Sequence, residues 1–157
     1  MRGALMSEIV VALFPTEEKA QEAAERLSAA AAHEGVVVRG AAILGRSLDG
    51  AVSERKWSSR VPWRTPAGAL LGAVIGFLVG PIGAGIGFLS GGVLGAVKDL
   101  SDVAEAEIKL REIREKLRPG TGALVVDIDE PSLQAFSERM QQLGGDVISP
   151  GLKQPPE

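Results

Sequence analysis

Cysteine is absent from the sequence. Disulfide staples, zinc fingers and thiol nucleophiles are excluded by that inventory, and no oxidising compartment is required. Histidine occurs once, as His33. It stands at a helix end beside Glu34 and Gly35, where a satisfied C-terminal helix residue is expected rather than a ligand or a base. The two signs of charge nearly balance. A formal net charge of −3 over 157 residues argues against a chain built to hold nucleic acid. The opening stretch also lacks a leader pattern: its apolar run stops at Pro15-Thr16-Glu17-Glu18-Lys19 without a small-residue cleavage site, so no signal peptide is expected. Met1 to Leu5 carries no pattern of its own, and Met6 is an alternative start.

Charge is missing altogether from Thr65 to Val97, and ten of the twenty glycines fall between Gly68 and Gly95. The remainder reads as a small α+β domain. Ile9 to Phe14 is a continuous apolar run that predicts a buried strand. A helix follows from the Pro15-Thr16 start signal. Ala20, Ala23, Ala24, Leu27, Ala30 and Ala31 recur along it at helical spacing, and Gly35 is the expected stop. Val36 to Leu44 predicts a second strand, and Ser47-Leu48-Asp49-Gly50 a turn into a third from Ala51 to Trp57.

Beyond the glycine block, Asp102 with Glu105 predicts a helix start, and Val103, Ala106, Leu110, Ile113 and Leu117 form one face up to Pro119-Gly120. The charges from Lys98 to Arg118 alternate in sign, as on a solvated face. Ala123 to Ile128 predicts a strand. Pro131 starts a helix with Leu133, Phe136, Met140 and Leu143 inward, and a short strand from Asp146 to Ser149 follows. Asp127 and Asp129 are expected to cap that helix rather than bind a cation.

Both ends therefore read strand, Pro-started helix, glycine, strand, with Glu25-Arg26-Leu27 echoed by Glu138-Arg139-Met140. Two such halves joined in one antiparallel sheet with helices on one face give a ferredoxin-like arrangement. The expected organisation is residues 7–57 as the first half, 58–100 as an inserted apolar hairpin, 101–149 as a connecting helix and second half, and 150–157 as a disordered tail.

Within the insertion, Gly68, Gly72, Gly76 and Gly80 stand four apart, and so do Gly83, Gly87, Gly91 and Gly95. On a helix each series lines one stripe, a groove without side chains where another backbone can approach. Interior glycine costs roughly 0.8–1 kcal/mol relative to alanine, so close helix contact has to offset the loss. Thr65-Pro66 is a helix start, and Gly80-Pro81 is the expected turn of the hairpin.

Each helix is short for a bilayer unless it extends past its apolar segment. The flank supports membrane contact: Trp57 and Trp63, the only tryptophans, lie among Arg55, Lys56, Arg60 and Arg64 just before the hairpin, as interface anchors do. The same cluster fits anionic headgroups or a plain solvated linker. Gly83-Ala84-Gly85-Ile86-Gly87 resembles a phosphate loop only superficially, because no strand precedes it and no Lys-Ser/Thr follows.

With these halves, the glycine block and the Lys116-Leu117-Arg118-Pro119-Gly120-Thr121-Gly122-Ala123-Leu124 step in view, residues 7–149 resemble the bacterial domain-of-unknown-function 1269 family, described as predicted membrane proteins. The resemblance implies no catalytic residues. The sequence-level expectation is a non-enzymatic, membrane-associated structural protein. It would self-assemble through glycine-zipper helices, with its partners a lipid bilayer and further copies of itself and its α+β domain facing the cytoplasm. The alternative is a cytoplasmic homo-oligomer that buries the glycine-rich hairpin in a shared core; a small-ligand sensor or enzyme is a distant third. No cofactor, metal, nucleic acid or small-molecule substrate is implied.

Overall fold

Thr16 opens the first helix as the sequence suggests: its Oγ1 accepts the Lys19 amide at 3.1 Å, while Glu17 and Glu18 sit in the positive first turn. This geometry comes from a computed structural model that describes residues 6–49, 52–57, 66–79 and 100–154. In chain order the elements are β1 (Ser7–Phe14), α1 (Glu17–His33), β2 (Val38–Arg46), β3 (Val52–Trp57), α2 (Pro66–Val79), α3 (Leu100–Lys116), β4 (Gly122–Asp129), α4 (Glu130–Gln142), β5 (Asp146–Ile148) and β6 (Lys153–Gln154).

The strands form one antiparallel sheet in the order β3-β2-β4-β1-β5, with β6 also beside β1. The halves interleave. β1 pairs with β4 over its whole length, from Ser7 opposite Asp129 to Phe14 opposite Gly122, and every residue of both strands is buried. Strands buried on both faces lose the apolar–polar alternation of a half-wet sheet, which is why Ile9 to Phe14 reads as an unbroken apolar run.

Two cores result, one on each face. Val10, Ala12 and Phe14 of β1, with Leu124, Val126 and Ile128 of β4, pack against Ala20, Ala23, Ala24 and Leu27 of α1 and Phe136 and Met140 of α4. Ile9, Val11 and Leu13, with Ala123 and Val125, face the other way. They pack with Leu70, Leu71, Val74, Ile75, Phe77 and Leu78 of α2 and Ala106, Leu110, Ile113 and Leu117 of α3. The expectation of helices on one face is thus corrected: the glycine-rich α2 and the helix after it cover the second face, which would otherwise hold bare apolar strands. Each of the larger side chains among them, Val, Leu, Ile, Phe or Met, contributes roughly 1.5–3 kcal/mol when fully buried.

Two smaller expectations change as well. α3 begins at Leu100, so Asp102 lies inside the helix rather than capping it. Residues 150–154 are not a loose tail. Leu152 is fully buried, its carbonyl accepts the Ile9 amide at 2.9 Å, and Lys153 and Gln154 pair with Glu8 and Ser7. The physical reason is that β5 is three residues long and leaves the start of β1 without a neighbour on that edge.

Candidate functional site

α2 is an uncharged helix of 14 residues. One face carries its large side chains into the core beneath it. The opposite face carries Gly72 and Gly76, both exposed, and a Cβ added at either would meet nothing within 4 Å among the described residues. Of the other glycines singled out in the sequence, Gly68 belongs to the first turn of α2. Gly80, Gly83, Gly87, Gly91, Gly95 and the Gly80-Pro81 turn lie outside the described residues, as does the Gly83–Gly87 stretch. The groove marked by Gly72 and Gly76 is therefore an open strip of backbone, not one filled from within the described part of the domain.

Arg55, Lys56 and Trp57 fall on β3, the edge strand, opposite Ile43, Ala42 and Ala41 of β2. Arg60, Trp63 and Arg64 lie outside the described residues. Among the described residues no helix is long and apolar enough to cross a membrane; α2 rises roughly 21 Å at 1.5 Å per residue.

The step from α3 into β4 has a structural explanation. Gly120 takes φ +86° and donates its amide to the Arg46 carbonyl at 2.6 Å, closing the loop onto the end of β2. Arg46 Nη1 returns a bond to the Leu117 carbonyl at 3.0 Å. Gly122 passes so close to the start of α1 that a Cβ there would lie 2.7 Å from Glu17 Cα and 2.9 Å from the Thr16 carbonyl oxygen. The glycines of Arg118-Pro119-Gly120-Thr121-Gly122 therefore answer backbone conformation and close approach. An open depression nearby is lined by Thr16, Glu17, Glu18, Gln21 and Gly120.

Among the described residues, the buried polar side chains Ser7, Glu8, Asp127, Asp129 and Ser132 gather at one end of the sheet, where β1 begins and β4 ends. Asp129 occupies the N-cap position of α4, but its side chain makes no capping bond; it accepts from Arg39 Nε at 2.8 Å instead. The expected cap is corrected for a reason of charge, since a cation at hydrogen-bond distance draws a nearly buried carboxylate more strongly than a backbone amide does. Ser132 Oγ accepts the Val37 amide at 3.0 Å, and Ser149 donates to Glu8. His33 is the exposed last residue of α1. No group of three His, Cys, Asp or Glu that could hold a metal ion occurs among the described residues.

These features define an α+β domain with helices on both faces of an antiparallel sheet. A family model described as a protein of unknown function, DUF1269, matches residues 66–157, more than half of the chain, and the chain belongs to that family. The match starts at the first residue of α2 and runs through β6, whereas the sequence resemblance was drawn over 7–149. No curated protein matches the chain, and no solved structure does.

Proposed function

We propose that this chain is a non-enzymatic assembly protein whose α2 helix joins a second copy along the stripe of Gly72 and Gly76. The carrying observation is that nothing among the described residues uses these glycines: both stand in mid-helix, exposed, with no described atom within 4 Å of where a Cβ would sit. Glycine there costs roughly 0.8–1 kcal/mol relative to alanine, and close approach of a second backbone is the gain that offsets it. Among the two readings of the glycine block, the homo-oligomer is favoured because the large apolar side chains of α2 are already buried in the domain's own core. A bilayer would have to draw α2 off the sheet and bare its second face, exchanging one apolar surround for another.

The test is the mass of the full-length protein in solution, measured for the wild type and for Gly72→Leu with Gly76→Leu. The wild type is expected to be an oligomer and the double variant to dissociate while retaining its circular dichroism. An unchanged mass removes the stripe as the joining surface.

A second reading rests on the uncharged run from Thr65 to Val97. It places the protein at a membrane, with its α+β domain on the cytoplasmic side and the Arg55 to Arg64 cluster at the lipid interface. Retention by carbonate-washed membranes would favour it, and recovery without detergent in the supernatant would oppose it.

A further inference from the structure

The segment after β5 joins the sheet through a shifted register and a short hold. The register of β1 with β5, Val11 opposite Ile148, slips by two residues before it resumes as Glu8 opposite Lys153. The slip is taken up at Pro150 and Gly151, the latter at φ +79°. Among the described residues the hold is slight: two ladder pairs, the Ile9 amide on the Leu152 carbonyl, and two buried side chains, Pro150 at the slip and Leu152, which enters the core beneath α2 and α3. By contrast, β1 and β4 share eight pairs. Two polar clasps flank the hold. Ser149 Oγ donates to Glu8, and Lys153 Nζ lies 3.1 Å from Glu130 Oε1 with both side chains about half exposed. Lys153 is thus the cation set between Glu130 and Glu8, and both carboxylates raise its pKa above the ordinary 10.5, the hydrogen bond that Lys153 donates to Glu130 contributing most.

From this pattern we infer that residues 149–154 form a latched strap that opens without global unfolding, with Lys153 as the latch. Opening uncovers the edge of β1 from Ser7 to Ile9 and the socket of Leu152 in the α2/α3-side core. Segments with few buried contacts next to a hinge open at lower free energy than the core they border.

Amide hydrogen exchange on the full-length protein tests it, with Ile9 as the reporter because its N–H is held by the strap itself. Ile9 is expected to exchange at least ~10-fold faster than amides at the centre of the β1–β4 ladder, with little dependence on added denaturant, the signature of sub-global opening. Lys153→Gln should raise the Ile9 rate further, by roughly 2- to 5-fold for the loss of one exposed ion pair, and Lys153→Arg should restore it. Equal protection of Ile9 and the ladder centre overturns the strap. An Ile9 rate indifferent to Lys153→Gln overturns the latch.

Discussion

Arg39 and Asp129 meet across β2 and β4 at 2.8 Å, with side chains only 15% and 10% exposed. The irregularity of β2 between Val38 and Gly40 is what accommodates Arg39 in the ladder. Removing one partner leaves a nearly buried charge behind. Arg39→Ala and Asp129→Ala are each expected to lose about 2–4 kcal/mol in urea unfolding, and the double variant Arg39→Ala with Asp129→Ala less than their sum. Additive losses would show that the pair is not coupled.

Gly72 and Gly76 offer a test in which two readouts move in opposite directions. Alanine at either position would meet nothing among the described residues, so Gly72→Ala and Gly76→Ala should each raise the stability of the isolated domain by about 0.5–1 kcal/mol. If the stripe joins two copies, the same variants should weaken assembly in sedimentation. Stabilisation with unaltered association would leave these glycines without a role in assembly.

Gly122 should tolerate no side chain. Its neighbours at the required distance include backbone atoms of Thr16 and Glu17, which cannot swing aside as a flexible side chain does. Gly122→Ala is expected to lose about 1–3 kcal/mol, read as a fall in thermal midpoint. Gly120→Ala should lose about 1–2 kcal/mol from its left-handed conformation alone.

The strap should loosen in alkali. A lysine whose pKa is raised on folding contributes stability that is present in full below its unfolded value and fades as pH climbs through the folded one. The window therefore opens at the ordinary 10.5 and extends above it. The Leu152 methyl resonances should shift across that window in the wild type and stay flat in Lys153→Gln.

Much of this architecture was legible in particular residues. Thr16 and the alanine stripe announced α1. Ala106, Leu110, Ile113 and Leu117 announced the inner face of α3, and Phe136 and Met140 that of α4. The second layer was signalled too, by the unbroken apolar runs of β1 and β4, because a sheet wet on one side would have alternated. The glycine spacing points the other way, to partners outside the domain, while Leu70, Val74 and Leu78 on the same helix belong to its interior.

Asp129 carries a local pattern that its tertiary partner overrides. Its place ahead of Pro131 is that of a cap, and its partner Arg39 lies ninety residues away in sequence, beyond any local pattern. The strap was hidden by its composition, since proline, glycine and lysine around a lone leucine read as solvent-borne chain.

The interleaving of strands also governs when this molecule can take shape. β1 leaves the ribosome well before the strands that flank it, which come from residues 122 to 154. Until those arrive, the strand from Ile9 to Phe14 has no ladder to join, and α2 has only part of its platform. Nascent chains must therefore carry two sticky stretches until residues 122 to 154 are made, and they are the form most exposed to mispairing or to capture by chaperones.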